Sequence, residues 1–308
     1  MTNAQNVAAP TATRIAPTKV HHKSAKVGDL DIFYREAGRE DAPTILLLHG
    51  FPTSSQMFRN LMPTLADEFH LIAPDYPGYG QSSMPPHEDF EYSFDNLANV
   101  IDQFTEKIGL DTYALYVQDY GAPIGFRLAS AHPERVTALI VQNGNAYDEG
   151  LAEEFWKPLK AYWNDPDSLE KRNALRKLLT YDVTKFQYTA GARDPELVSL
   201  DGPTEDQFLL EREGNNEIQL DLFLNYRTNP PLYATWQEYF RAHQPPTLVV
   251  WGKNDPCFTT DGAKAYARDL KNIETHLLDA GHFALETDYD TIAERIRSFM
   301  GRLRIARA

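Results

Sequence analysis

Cysteine is almost absent from this chain: a single thiol, Cys257, leaves no internal disulfide to form and fits a reducing compartment. Long apolar runs are missing too. None approaches the roughly 20 residues of a membrane-spanning helix, and the amino-terminal residues hold no apolar stretch of the kind a secretory signal needs, so the expected location is cytoplasmic. Positive charge is also scarce, with 30 Lys and Arg against 44 Asp and Glu and a formal net charge of -14. A nucleic acid or an anionic membrane would be repelled across most of such a surface. No metal-ligand spacing, phosphate loop or dinucleotide fingerprint is visible, so neither a metal nor a cofactor is expected. What is present is apolar and aromatic: 42% of the 308 residues are hydrophobic and 12% aromatic, enough for one large core carrying an insertion. That balance favours a small, neutral, apolar substrate. Nothing in the composition argues against a homodimer.

Residues 1–23 are rich in Ala, Thr and Pro and read as a disordered lead-in. Leu30–Arg35 alternates apolar and polar residues as an early strand does. Thr44–Leu48 is a continuous apolar run, the pattern of a strand buried on both faces, and it ends in His49-Gly-Phe-Pro-Thr-Ser-Ser55. A further strand is predicted at 69–75, an amphipathic helix from Ser93 to Gly109, and buried strands at 113–118 and 137–142. Strands alternating with helices imply an α/β protein with a mostly parallel, doubly wound sheet whose sites lie at the strands' carboxyl ends. After Asn145 strand signals vanish for about 100 residues, then resume at Pro246–Gly252 and Ile273–Asp279. The domains expected are therefore a core of residues 24–144 and 244–308, with 145–243 as an inserted helical cap.

The stretch Tyr113–Ala129 organises the chain. A β-branched and aromatic run meets a sharp corner at Asp119, and an apolar helix follows. Such a strand–turn–helix lifts one side chain clear of the sheet edge, as a catalytic nucleophile requires. Asp255, in Gly252-Lys-Asn-Asp-Pro256, and His282, in Asp279-Ala-Gly-His-Phe283, also end strands, in the chain order nucleophile, acid, histidine. A carboxylate nucleophile attacking an ester would only form a reactive anhydride, whereas at a saturated carbon it displaces a leaving group and leaves an alkyl ester. His282, oriented by Asp255, would activate water against that ester, and the backbone N–H groups of Phe51 and Tyr120 would hold the oxyanion. His49 reads as a residue that shapes the loop beside this site. Cys257 reads as a small apolar filler.

With these motifs the chain resembles the α/β-hydrolase fold, in its capped epoxide hydrolase and haloalkane dehalogenase branch. The resemblance spans about residues 30 to 305, through His49–Ser55, Asp75-Tyr-Pro-Gly-Tyr-Gly80, Val117-Gln-Asp-Tyr-Gly121, Trp251–Asp255 and Gly281-His282. It implies hydrolysis through a covalent alkyl-enzyme ester. Epoxide hydrolases use cap tyrosines to protonate the opening oxygen, and Leu224-Asn-Tyr-Arg227, one residue shorter than the family motif Asn-Trp-Tyr-Arg that it resembles, places Tyr226 in that role. Tyr162 is a shifted substitute for the second. Dehalogenases hold halide with N–H donors, for which Trp156 and Trp163 are the candidates; the usual tryptophan and asparagine positions are here Tyr120 and Phe51. Haloacid dehalogenases resemble this elbow with paired arginines, replaced here by Tyr120 and Pro123, which argues against an anionic substrate. The expected activity is epoxide hydrolysis, with haloalkane dehalogenation as the alternative. A third reading is a binding protein that keeps the fold without turnover.

Overall fold

Residues 18–307 are described in a computed structural model. Residues 1–17, most of the expected lead-in, lie outside the described residues. The remainder of that segment corrects the expectation, because the boundary at 23 falls inside a strand. Strand β1 (Val20–Val27) pairs antiparallel with β2 (Leu30–Ala37), so His21 and His22 face Glu36 and Arg35 across a hairpin. Gly28, at φ 56°, makes the turn. An edge strand held through its backbone can keep polar, exposed side chains, and for that reason β1 lacks an apolar signature.

The sheet continues through β3 (Thr44–Leu48), β4 (His70–Pro74), β5 (Tyr113–Gln118), β6 (Val136–Gln142), β7 (Thr247–Gly252) and β8 (Ile273–Leu278). Its spatial order is β1-β2-β4-β3-β5-β6-β7-β8. Pairings are parallel from β4 through β8 and antiparallel only where β2 meets β1 and β4. Every residue of β5 and of β7 is buried, as the continuous apolar runs require of central strands. Edge strand β8 is only half-buried.

Helices cover both faces. On one side α1 (Leu61–Leu65) and α11 (Leu285–Arg307) pack Leu61, Leu65, Ile292, Ile296 and Phe299 against the sheet. On the other, α2 (Phe94–Lys107) and α3 (Gly121–Ala131) contribute Leu97, Ile101, Phe104, Ile124 and Phe126. The spacing of those α2 residues is the stripe that predicted the helix, and Ser93 caps it by accepting from Asn96 N–H. Between β6 and β7 lie α4 (Glu153–Trp163), α5 (Leu169–Ala174), α6 (Tyr181–Thr189), α7 (Asp201–Leu210), α8 (Asn215–Asn225) and α9 (Tyr233–His243). Helix α10 (Thr260–Ala265) follows β7. The insertion shares one continuous apolar core with α2 and α3, so it is packed onto the carboxyl edge of the sheet rather than tethered to it. No helix among the described residues is long and apolar enough to cross a membrane.

Candidate active site

The corner between β5 and α3 is strained where the chemistry needs it. Asp119 has φ 48°, left-handed backbone that a side-chain-bearing residue adopts at a cost of about 1 kcal/mol or more. Close packing holds it there. A Cβ at Gly50 would meet the Asp119 Cβ at 2.3 Å, and one at Gly121 would meet the Leu48 carbonyl oxygen at 2.2 Å. Val117, in a position the family pattern keeps small, is accommodated by Gly125, where a Cβ would meet the Val117 Cγ1 at 2.6 Å.

The loops after β7 and β8 bring the acid and the imidazole to this corner. His282 Nδ1 lies 2.8 Å from Asp255 Oδ2, and its Nε2 lies 3.9 Å from Asp119 Oδ2. All three residues are buried. Asp255 is fixed by N–H donors on each oxygen: Cys257 N to Oδ1 at 2.6 Å and Asn143 Nδ2 to Oδ2 at 2.7 Å. Asn143, itself left-handed at φ 44°, also accepts from Gly252 N–H and so joins the end of β6 to the acid loop. The three residues named from sequence are therefore brought together, in the arrangement that a nucleophile, a base and an orienting acid require.

Charge at the site is finely balanced. Burial pushes the Asp119 carboxyl above the ordinary carboxylate range, while the facing His282 and the N–H groups of Phe51 and Tyr120 pull it down, leaving it raised. Burial likewise opposes an imidazolium at His282, but the Asp255 and Asp119 carboxylates outweigh it and raise its pKa above the usual imidazole value. Phe51 N–H donates to Asp119 Oδ1 at 2.7 Å, and Tyr120 N–H also donates to the carboxylate. The expected oxyanion donors thus meet the Asp119 carboxylate itself, where an ester carbonyl formed on it would develop negative charge under attack. His49 shapes this loop as expected: it stacks on Tyr76 at 4.1 Å, its Nδ1 lies 2.9 Å from Gly50 O, and burial pushes its pKa down to about 3.

A small cavity of about 30 Å3 opens on Asp119, walled by Phe51, Tyr120, Trp156, Leu159, Gln187 and Phe223 among others. The cap residues expected to serve it fare unevenly. Trp156 lines it with its ring, but its indole N–H donates to Cys257 O at 2.8 Å. Trp163 donates to Phe223 O at 2.7 Å and does not line the cavity. Neither indole N–H is free for a halide. Tyr162 is buried away from the cavity, its hydroxyl accepting from Arg172 at 3.4 Å. Tyr226 is also displaced: its ring stacks on Trp163 and lies behind Tyr120, and its hydroxyl shares a hydrogen bond with Tyr233. The missing residue in its motif explains this, since deleting one helical residue rotates those after it by about 100°. Cys257 is buried as expected but forms part of the cavity wall.

Other contacts were not foreseen. Gln118 is fully buried, with Nε2 at 2.9 Å from His282 Nε2 and Oε1 unpartnered. Its position beside Asp119 was the available signal. Gln187, on α6, reaches the cavity with no signal at all, because a glutamine in a polar helix reads as surface. Asp255, Cys257 and His282 offer ligand atoms within 4.8 Å of one another. However, both Asp255 oxygens and His282 Nδ1 are already engaged, so this grouping reads as the triad with its neighbour rather than a metal centre.

A family model described as the alpha/beta hydrolase fold matches residues 43–289. An uncharacterized hydrolase of Saccharomyces cerevisiae is 44% identical over 279 residues, covering 90% of this chain and 96% of that protein. Haloalkane dehalogenase 2 of Mycobacterium tuberculosis is 41% identical over 262 residues, covering 82% and 86%. Among solved structures, the haloalkane dehalogenase DbeA from Bradyrhizobium elkani superposes with a TM-score of 0.76 at 24% identity, covering 94% of this chain and 99% of that one. The epoxide hydrolase CorEH gives 0.75 at 19%, covering 92% and 100%. At those identities the structural likeness speaks for the fold.

Proposed function

Because the chain belongs to the alpha/beta hydrolase fold family, we propose that it hydrolyses a small, neutral, apolar substrate at a saturated carbon, with Asp119 as nucleophile and the helical insertion as its cap. The observation that carries this reading is the Asp119 carboxylate, seated between two backbone N–H donors and facing His282 Nε2 across 3.9 Å. A serine in that seat would acylate. A carboxylate there forms an alkyl ester whose carbonyl oxygen inherits the two donors.

In the first step one Asp119 oxygen attacks carbon, the bond to the leaving atom breaks, and its electron pair departs with that atom. In the second, His282 takes a proton from water, the hydroxide adds to the ester carbonyl, and the alkyl oxygen leaves as an alcohol. The Gln118 amide that meets Nε2 at rest gives way to this water. Alkylation also prepares the base. It removes the Asp119 charge, which raises His282 less than Asp255 does, and so lowers the imidazole pKa as the ester forms.

Epoxides are the favoured substrate class. Both cap indole N–H groups are engaged, whereas the Tyr120 phenol borders the cavity and burial keeps it protonated, able to supply the proton an opening oxirane needs. Haloalkanes are the second reading, favoured by the extended identity to a named dehalogenase and by the side-chain amide of Gln187 in the cavity wall.

The test is capture of the ester. His282→Gln incubated separately with styrene oxide and 1-bromobutane should accumulate an adduct on Asp119, seen by mass spectrometry of the peptide. Lack of an adduct across a broad panel of epoxides and haloalkanes, in a folded variant, overturns the reading.

A further inference from the structure

The alkyl-ester mechanism leaves one atom without a named partner: the leaving atom. The groups that can meet that atom are those of the cavity wall. The polar side chains in the wall are Asp119, Tyr120, Trp156, Gln187 and Cys257. Asp119 is the attacker, the Trp156 N–H is engaged by Cys257 O, and the Cys257 thiol is engaged with the neighbouring Asp255 carboxylate. Gln187 remains, together with the Tyr120 phenol. Gln187 is only 3% exposed, and its amide makes no side-chain hydrogen bond among the described residues. Its polar atoms are not among the fully buried ones without a partner, so they keep access to a small neighbour, and the cavity that Gln187 lines is where a ligand would meet them.

Resting on the alkyl-ester reading, we propose that Gln187 is the substrate-binding residue that holds the leaving atom, its side-chain N–H pointing with the Tyr120 O–H at the side of the carbon opposite Asp119. For an oxirane, the electron pair of the breaking C–O bond goes to oxygen, which accepts the Gln187 N–H and takes the Tyr120 proton. The proton that ester hydrolysis leaves on His282 then restores the phenol through water. For a haloalkane the same N–H and O–H solvate the departing anion, with no proton transferred. The arrangement replaces the paired lid tyrosines and the paired indoles with one phenol and one amide. It also puts the specificity-determining group on α6, outside every motif legible in the sequence.

Single-turnover kinetics separate this role from a structural one. In the His282→Gln background, Gln187→Leu should slow adduct formation with styrene oxide or 1-bromobutane by about tenfold to a hundredfold, the range for loss of one preorganised donor. Gln187→Asn should restore part of that loss. In the His282-containing enzyme, hydrolysis of the ester formed from 1-bromobutane should be unchanged by Gln187→Leu, because bromide is no longer bonded to that ester, whereas the oxygen of an opened oxirane stays attached as a hydroxyl. Adduct formation at the parental rate overturns the inference, and so does equal slowing of both half-reactions, which marks a packing role. If the His282→Gln parent itself forms no adduct with any probe, the alkyl-ester reading falls and this inference with it.

Discussion

At the scale of single residues the site is a balance between burial and charge. In the proposed mechanism Asp119 attacks as the carboxylate, yet burial raises its pKa, so the alkylation rate should fall as pH drops through a value above the ordinary carboxylate range. The Asp119 charge in turn raises His282. Asp119→Asn should therefore lower the His282 pKa, and the shift should appear in an NMR titration of the imidazole. An unchanged or higher value would mean that Asp255 alone sets it. That Asp119, Asp255 and His282 come together was legible because each follows a parallel strand of one sheet, in a fixed chain order. Gln118 and Asn143 were not credited with a role, since their work is done through amide hydrogen bonds across the sheet edge that no spacing encodes.

The elements divide the same way. Core strands and α2 announce themselves by apolar runs and by a helical stripe, because each packs against a surface whose period the sequence must match. Cap helices pack on several sides at once, and which tyrosine or tryptophan faces the cavity depends on rotation by a residue or two, as Tyr226 shows. One seam between cap and core invites a test. Asp206, on α7, is wholly buried beside Tyr188, Thr53 and Gln56, with Oδ1 unpartnered, and burial pushes its carboxyl well above the ordinary range. The facing groups include no cation in hydrogen-bond contact with it; Arg59 is held by Glu286. A raised folded-state pKa contributes stability that is complete below the unfolded value of about 4 and fades as pH rises toward the folded value. Asp206→Asn should therefore flatten the pH dependence of thermal stability, leaving the variant relatively more stable at pH 8 than at pH 4 when compared with the parent. A parallel pair of melting curves across pH would remove this seam as a source of pH sensitivity.

For the whole molecule, the formal charge of -14 and the largely apolar wall of the cavity accord with the neutral substrate proposed above. Leu159 is a wall residue only 3% exposed. Leu159→Ala should shift the preference in kcat/KM toward longer 1-bromoalkanes or 1,2-epoxyalkanes, at a stability cost of about 2–5 kcal/mol measurable by denaturant unfolding. An unaltered chain-length profile would place the size limit elsewhere.

The hydrogen bond from Trp156 to the Cys257 carbonyl has a mechanical consequence. It joins α4 to the loop that carries Asp255, as do the pairing of Leu151 with Phe258 and the Ala152 N–H bond to Cys257 O. A cap that lifted as one rigid plate would drag the acid away from His282 at every turnover. If the insertion opens to admit a substrate, α4 is therefore its fixed side and the far edge is the part left to move. There, α5 to α7 and their connections expose Leu169, Phe186, Leu197, Leu200 and Phe208, an oily threshold for an apolar guest. Hydrogen exchange should find that edge fraying first, while the amides around Trp156 stay shut.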